Sequence, residues 1–439
     1  MSTIINSSKS YLFKLSIPIF FSNIAIPFVG LVDTGLMGNL DNMKFLTAIS
    51  IATSVITMVF WSFGFLRMGT VGLVSQALGR KDYNEIVLVF IRNLIFALSI
   101  GLIIIFFKEP IILLIEHFFK TTEETQSLIN KYISIRILSA PAELIIYVLA
   151  GLYLGLQKTI TSSLMIAIFC FGNAILSAVL VINFDLEIFG VAAGTTISAY
   201  LTVIIFLVLS FFQLKNRLTI SLTYKKIFNV KKLFKLFNIN FDIFIRTILL
   251  TFSFLWMTYQ GSKLGESYLA VNTLLMQFII VASFFLDSYA FSTEAVVGFT
   301  IGRRIKKSFL EVVSNSFQLS IFSGLVISLI YLFTFKSIIN ELTNLDYLKF
   351  LTFDYIIWIV IIPPIASICY QFDGIFVGAS QTAEMRNGMI ISVVIFILSS
   401  QFLVSNFGNH GLWLSLLFFM IIRSITLNYY FNKILKKFK

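Results

Sequence analysis

The stretch Thr159–Phe184 reads TITSSLMIAIFCFGNAILSAVLVINF and contains no charged residue. A helix that crosses a lipid bilayer needs about 20 apolar residues, so this stretch predicts a membrane span. Ile188–Leu214 and Val312–Phe335 are charge-free runs of the same kind. Of the 439 residues 58% are hydrophobic and 12% charged, whereas a soluble domain is about 25% charged. The composition therefore predicts an all-α polytopic membrane protein and excludes soluble enzymes.

Twelve spans are predicted in all. Seven further segments are long enough once their flanks are included: Leu15–Val32, Phe45–Leu66, Leu94–Phe107, Leu144–Gln157, Thr247–Ser262, Ser267–Leu286 and Tyr355–Phe372. The run from Asn387 to Ile422 is too long for one crossing. It is predicted to be broken into two spans by a polar, glycine-containing group, namely Asn406, Gly408, Asn409, His410 and Gly411.

The basic residues predict the orientation of these spans. If the N-terminus is cytoplasmic, 21 of the 33 Lys and Arg residues lie in cytoplasmic segments and 7 in outer segments. Both termini are thus expected in the cytoplasm, in an inner membrane, with no cleavable signal peptide because the first apolar segment continues as a full span. The net charge of +12 is interpreted as this topology signal beside anionic lipid, so membrane lipids and not nucleic acid are the expected partners.

The chain repeats itself at an offset of 223 residues, without a gap. The matching residues are mostly Gly, Pro, Arg and Asn, which chance would not favour in so apolar a chain. They include Gly79-Arg80 with Gly302-Arg303, Gly101 with Gly324, Tyr132-Ile133 with Tyr355-Ile356, Pro141 with Pro364, Gly151 with Gly374, Gly155 with Gly378, and Asn183-Phe184 with Asn406-Phe407.

The offset covers six spans, an even number, so the two halves have the same orientation in the membrane. We predict a six-helix lobe at residues 1–214, a basic cytoplasmic linker at 215–237 and a second six-helix lobe at 238–439. Two such lobes with a pathway between them are typical of a secondary transporter. No GxxxxGK[ST] motif indicates an ATPase, so an ion gradient or the substrate's own gradient must supply the energy.

Enzyme chemistry finds little support in the sequence. His117 and His410 are predicted in outer loops, so no intramembrane His is available for a catalytic triad or a zinc motif. Cys170 and Cys369 fall inside spans and form no CxxC pair. We expect neither a cofactor nor a bound metal, other than a coupling ion.

Six carboxylates fall in spans, where each costs at least about 2.5 kcal/mol to insert and therefore needs a partner or a function. They are Asp33, Glu143, Asp287, Glu294, Asp354 and Asp373. Asp33 is the strongest candidate because no basic residue lies within two turns on its own helix. Burial disfavours the charged form of such a carboxyl, which predicts proton exchange. It belongs to a small, polar stripe predicted to face away from lipid, made of Asn23, Pro27, Gly30, Asp33, Thr34 and Met37. The alternative is a protonated Asp33 that hydrogen-bonds to a neighbouring helix.

The remaining acids allow functional and structural interpretations. Glu143 lies seven residues from Arg136 on one helix face, where the two can form an ion pair. Asp354 is expected at the membrane interface. Asp242 and Arg246, at i and i+4, are predicted to form a simple ion pair. Asp287, Glu294 and Asp373 form either a second ionisable cluster or a structural network with Arg67 or Arg246.

Motifs in both halves carry a family resemblance. The first half contains Leu31-Val32-Asp33-Thr34, Phe60-Trp61-Ser62-Phe63-Gly64-Phe65-Leu66-Arg67-Met68-Gly69-Thr70 and Gln76-Ala77-Leu78-Gly79. The second contains Ile245-Arg246-Thr247, Gln260-Gly261, Phe285-Leu286-Asp287, Glu294-Ala295 and Phe372-Asp373-Gly374. Over about residues 11–430 the chain resembles the multidrug and toxic-compound extrusion (MATE) family, and most closely its DinF-like branch.

The resemblance implies twelve helices in two lobes around a cleft, and export of organic compounds against inward H⁺ or Na⁺. It implies that Asp33 is the ion-coupling residue and that Asn173 and the residue at 177 join it. Ser177 departs from the acidic or amide residue expected there, which favours H⁺ over a Na⁺ site near Asp33. Tyr132 and Thr195 match cleft-lining positions.

The sequence thus predicts a monomeric, cation-coupled multidrug antiporter for small organic, often lipophilic and cationic, substrates. Protonation of Asp33 is expected to let the first lobe repack, with bending of the first helix at Pro18 or Pro27. The alternative is a flippase for lipids or lipid-linked saccharides, which would need a basic cavity, and only Arg67 and Arg136 lie deep enough to form one. A membrane transferase or a non-transporting scaffold is less favoured.

Overall fold

The computed structural model describes residues 8–40, 42–119, 121–215 and 223–438, and every regular element in these ranges is helical. The first half contains α1 (Lys9–Gly38), α2 (Met43–Trp61), α3 (Phe65–Gly79), α4 (Tyr83–Phe106), α5 (Lys108–Phe118), α6 (Glu123–Arg136), α7 (Ala140–Gly155), α8 (Thr159–Ile182) and α9 (Glu187–Lys215). The second contains α10 (Tyr224–Ile227), α11 (Val230–Lys263), α12 (Glu266–Arg303), α13 (Lys306–Leu342), α14 (Asp346–Phe353), α15 (Ile356–Gly378) and α16 (Thr382–Leu435). Short 3-10 turns, Ile137–Ser139 and Lys436–Phe438, join α6 to α7 and follow α16.

The number of membrane spans agrees with the prediction. Within the described residues, 11 helical stretches are long and apolar enough to cross a membrane, and the last one extends from Thr382 to Phe438. That stretch is interrupted at Gly408, whose φ of 54° and ψ of −134° are not helical. Division at Gly408 yields twelve spans, so the predicted break in the long C-terminal run is confirmed.

Asparagine side chains form hydrogen bonds beside the backbone break at Gly408. Asn409 and Asn272 of α12 exchange two amide hydrogen bonds of 2.8 and 3.0 Å. The indole nitrogen of the fully buried Trp413 donates to the same Asn272 oxygen at 2.8 Å. Polar side-chain contacts inside the helix bundle therefore connect the kinked part of α16 to α12.

The helices form two compact units. One consists of Phe21–Leu236, and the other combines the chain up to Phe20 with Phe237 onward. Helices α1 and α11 each contribute to both units, since a unit boundary lies inside each of them.

The 223-residue repeat is visible in the packing of each unit. In the first, Gly101 of α4 lies so close to α7 that a Cβ atom there would stand 2.5 Å from the Pro141 Cα. In the second, a Cβ atom on Gly324 of α13 would stand 2.8 Å from the Pro364 Cα. Small residues let helix backbones approach in this way, so the recurring Gly and Pro mark two equivalent joints.

A second joint is duplicated in the same manner. A Cβ atom on Gly151 would stand 2.6 Å from the Arg67 carbonyl oxygen, and one on Gly374 would stand 2.5 Å from the Ala290 carbonyl oxygen. Arg67 and Ala290 are themselves 223 residues apart. The repeat thus preserves backbone contacts even where the side chains at equivalent positions differ.

Candidate functional site

Asp33 is a buried carboxylate near the C-terminal end of α1. Its side chain is 4% exposed, and its Oδ1 atom has no hydrogen-bond donor among the described residues. Met37, one turn later, is also buried. A buried acceptor without a donor is costly, so this carboxyl gains from a proton or from a cation.

The polar stripe predicted around Asp33 is only partly buried. Pro27, Gly30 and Thr34 are exposed in the structure, and Asn23 is half-buried. At 3.6 residues per turn the stripe covers about 120° of the helix surface. Asp33 and Met37 lie at the edge of the stripe that packs against neighbouring helices, while Thr34 and Pro27 lie at the other edge.

Arg136 and Glu143 form a buried ion pair, as one of the two interpretations of Glu143 predicted. Arg136 ends α6 and Glu143 lies in the first turn of α7, with a short 3-10 turn between them. Ser139 in that turn donates to the Glu143 carboxylate at 2.8 Å and accepts a hydrogen bond from Arg136. The guanidinium also lies over the Phe60 ring, 5.2 Å from its centroid. The pair therefore fixes the junction between α6 and α7.

This ion pair lies beside Asp33, which the sequence did not indicate. The Arg136 guanidinium is close enough to interact electrostatically with the Asp33 carboxylate. Tyr132, one turn earlier on α6 and 1% exposed, interacts with both groups. No basic residue lies near Asp33 on its own helix, as the sequence indicated, and the nearby cation comes from α6.

Asn173, Ser177 and Thr195 lie together where α8 packs on α9, and all three are fully buried. The Asn173 amide nitrogen donates to Thr195 Oγ1, which in turn donates to the Val191 carbonyl at 3.0 Å. Ser177 Oγ donates weakly to the same carbonyl, at 3.4 Å. Asn173 Oδ1 has no donor in the part of the chain that the structure describes.

Helix α9 connects these residues to the Arg136 junction. Thr196, next to Thr195, donates to the Ile135 carbonyl at 3.3 Å. One turn later, Tyr200 donates to the Leu138 carbonyl at 2.8 Å. The junction that holds Arg136 and the α8–α9 contact therefore belong to one framework inside the unit Phe21–Leu236.

The other unit contains a second group of buried charges. Asp373 of α15 accepts hydrogen bonds from Arg246 of α11 and from Arg423 of α16, the latter at 2.6 Å. Asp373, Arg246 and Arg423 are all less than 9% exposed. Asp287 of α12 interacts electrostatically with Tyr370 of α15, so two acids and two arginines share this region.

Glu294 lies further along α12, seven residues or about 10 Å from Asp287. It is buried, and the α12 backbone at this point contacts Gly378 of α15. Of the three acids proposed for a second ionisable cluster, the structure thus brings Asp287 and Asp373 into one neighbourhood and places Glu294 at a distance along the helix.

The predicted Asp242–Arg246 ion pair is wrong. Asp242 instead binds Arg386 at 2.5 Å and accepts a hydrogen bond from Thr382 at 3.0 Å, both on α16. Arg246 forms an ion pair with Asp373 of α15. An i,i+4 pair contributes only about 0.2–0.5 kcal/mol, so partners on neighbouring helices prevail in the interior.

His117, His410 and Asp354 are exposed, and His117 lies in the helix α5 and not in a loop. His410 follows the Gly408 kink, where its Nδ1 accepts a hydrogen bond of 3.0 Å from the Trp358 indole. Asp354 ends α14 just before α15. Among the described residues no group of three His, Cys, Asp or Glu side chains is arranged to hold a metal ion.

The MatE family model matches residues 18–180 and 243–403, which is most of the chain. The chain belongs to the MatE family. DNA damage-inducible protein F of Escherichia coli is 34% identical over 96% of this chain and 92% of its own length. The resemblance to the DinF-like branch is confirmed by this relative. Multidrug export protein MepA of Staphylococcus aureus is 25% identical over 62% of this chain and 61% of its own length.

Solved structures confirm the fold of this MatE protein. An outward-facing multidrug resistance MATE family transporter of the MOP superfamily aligns with a TM-score of 0.86 at 15% identity, over 98% of this chain and 97% of that one. The Vibrio cholerae MATE transporter VcmN in the bent form aligns with a TM-score of 0.86 at 18% identity and the same coverage. The apolar helices and the family together show that the chain is a multi-pass membrane protein, and the solved family members are described as transporters.

Proposed function

We propose that this MatE protein is a secondary active exporter that moves organic compounds outward in exchange for H⁺. The observation that carries the proposal is the buried Asp33 carboxylate, whose Oδ1 has no donor among the described residues. An ionised carboxyl in such a site is destabilised and a protonated one is not, so proton binding changes the free energy of the unit around it. Nearby Arg136, itself paired with Glu143, supports the ionised form in the other half of the cycle.

The residues that the family resemblance groups with Asp33 favour H⁺ over Na⁺ as the coupling ion. Asn173, Ser177 and Thr195 offer neutral oxygens, and Ser177 has no charge to add to that of Asp33. Asn173 already donates to Thr195, whose oxygen is also bound to the backbone. A proton needs only the single carboxylate, whereas a metal cation needs several free oxygen ligands, and of these three side chains only Asn173 contributes an oxygen without a hydrogen-bond partner among the described residues.

The proposed cycle is one of alternating access. Ionised Asp33 takes up a proton from outside, and its neutralisation lets the helices around it repack, with bending of α1 at Pro18 or Pro27. The proton is then released on the inner side. Because a ligand shifts an equilibrium only by its difference in affinity between two states, the exported compound must bind the ionised state more tightly.

Relatives and charge distribution support the substrate class and the location. MepA is described as a multidrug export protein, and we extend this class, with lipophilic cations foremost, to the present chain. The threefold excess of Lys and Arg in alternate segments supports an inner-membrane location with both termini cytoplasmic. The flippase alternative gains no support at Arg136, because its guanidinium already has a carboxylate partner in Glu143.

The decisive experiment measures substrate efflux in proteoliposomes under a pH gradient or a Na⁺ gradient imposed separately. The wild type is compared with Asp33→Asn and with Asp354→Asn, a control that removes an exposed acid. We expect transport driven by the pH gradient alone, abolished in Asp33→Asn and retained in Asp354→Asn. Wild-type transport by Asp33→Asn would disprove the coupling role, and transport driven only by Na⁺ would disprove H⁺ coupling.

A further inference from the structure

A basic cavity lies at one end of the unit Phe21–Leu236, on the side predicted to be cytoplasmic. It has a volume of about 110 Å³ and lies between the end of α3, the start of α4 and the start of α11. Its charged lining residues are Arg80, Glu85, Arg92, Lys232 and Lys235. Four cationic side chains thus surround one carboxylate, and the excess charge calls for a further anion.

The internal contacts account for only part of this charge. Glu85 binds Lys232 at 2.8 Å and Arg92 at 3.4 Å. Arg92 is 3% exposed and also donates to the carbonyl oxygens of Lys226 and Ile227, at 2.6 and 2.9 Å. Arg92 therefore attaches the segment between the two halves to α4.

Arg80 and Lys235 remain without an anionic partner within residues 8–40, 42–119, 121–215 and 223–438. Both side chains are exposed and line the same cavity from different helices, Arg80 after the end of α3 and Lys235 on α11. Two cations that converge on an open cavity repel each other unless an anion lies between them.

The segment that carries Lys235 also indicates where the cavity lies. Tyr224, Phe228 and Phe234 are 75%, 39% and 65% exposed and alternate with lysines along residues 224–235. Exposed aromatic side chains beside lysines are typical of segments that lie in the headgroup layer of a membrane. This composition predicts that the mouth of the cavity lies at the depth of lipid phosphates.

We propose that this cavity binds the phosphate of an anionic phospholipid headgroup between Arg80 and Lys235. The anionic surface of the cytoplasmic leaflet supplies such headgroups at high local concentration. The bound lipid would join the end of α3 and the start of α4 to the start of α11, next to the contact that Arg92 makes. The site is separate from Asp33 and does not depend on the coupling ion.

The test is lipid retention by the detergent-purified full chain, measured by native mass spectrometry after incubation with phosphatidylglycerol or phosphatidylcholine of the same acyl chains. We expect the wild type to retain phosphatidylglycerol preferentially. At about fivefold for each basic residue, the double variant Arg80→Gln/Lys235→Gln should retain it about 25-fold more weakly. Arg92 is left intact because it attaches the linker.

The matched control, Lys225→Gln/Lys231→Gln, removes two exposed charges from the same segment outside the cavity lining. It should keep most of the retention. If both double variants lost phosphatidylglycerol retention equally, the lipid would be bound by general electrostatic attraction to the basic segment, and the proposed site would be wrong. Inorganic phosphate is added in a separate arm, and saturation by phosphate with no preference for phosphatidylglycerol would overturn the assignment to a lipid.

Discussion

Gly194 of α9 lies directly against Ser177 of α8, so closely that a Cβ atom on Gly194 would stand 2.6 Å from the Ser177 amide nitrogen and hydroxyl oxygen. A Cβ atom on Gly172 of α8 would likewise stand 2.7 Å from the Ser198 hydroxyl oxygen of α9. The two helices therefore pack with their backbones almost in contact, and position 177 has room only for a small side chain. The close packing thus explains why a serine stands at position 177, where the family resemblance implies an acidic or amide residue.

The first prediction concerns this contact. Gly194→Ala should lower the stability of the detergent-purified protein by about 2 kcal/mol, because the added methyl group forces α9 away from α8. The measurement is thermal unfolding followed by loss of the monodisperse peak in size-exclusion chromatography. Gly35→Ala is the control, since no atom lies within 4 Å of a Cβ atom at that position. It should be neutral or slightly stabilising.

A second prediction follows for position 177 itself. Ser177→Asp should destabilise the protein and fail to produce Na⁺-driven transport, because the carboxylate would be buried against the α9 backbone. Ser177→Ala should behave almost as the wild type, since the lost hydrogen bond of 3.4 Å is weak. A stable Ser177→Asp variant with Na⁺-driven efflux would contradict the steric explanation.

A third prediction tests the ion pair at the α6–α7 junction. Either Arg136→Gln or Glu143→Gln leaves an uncompensated charge in the interior, at a cost of about 3–5 kcal/mol. The double variant Arg136→Gln/Glu143→Gln should recover much of this loss. Thermal unfolding of the three variants gives the coupling energy, and additive losses would show that the two charges act independently.

A fourth prediction addresses the network around Asp373. Asp373→Asn removes the carboxylate shared by two buried arginines, so it should be more destabilising than Asp242→Asn, whose partner Arg386 is partly exposed. Thermal stability and expression yield are the measurements. If Asp373→Asn stays as stable as the wild type and loses only transport, the network is functional and not structural.

The fifth prediction concerns the break in α16. Gly408 has a positive φ with ψ near the extended region, a conformation that residues with a Cβ atom avoid. Gly408→Ala should therefore lower the unfolding temperature, and Asn272→Ala should do so as well by removing the acceptor of Trp413. Ser405→Ala, on the exposed surface beside the break, is the control and should be neutral.

Features that depend on residues close in sequence, or on a regular spacing, were predictable. The spans, the break near Gly408 and the Arg136–Glu143 pair are of this kind, as is the repeat. Contacts between distant helices were not, because hydropathy and spacing do not specify which helix faces which. Arg136 beside Asp33 and Arg246 on Asp373 belong to this second group.

A further class of contact has no signal in the sequence at all. Arg92 binds the backbone carbonyls of Lys226 and Ile227, and every residue has such a carbonyl. Lys235 likewise could be recognised as basic but not as a neighbour of Arg80. These contacts follow from the chain's path in space and not from residue type.

The duplicated glycine joints have an evolutionary consequence. Gly101 on Pro141 and Gly324 on Pro364 are copies of one another, whereas the counterpart of Asp33 at the same offset is Trp256. The two halves have therefore kept the same close helix contacts, whereas their ionisable residues differ. Each half consequently has its own distribution of charge. A chimera built from two first halves would keep the close glycine contacts and would carry a second carboxylate at the position equivalent to Asp33. Its two halves would then have the same ionisable residues, unlike those of the natural chain.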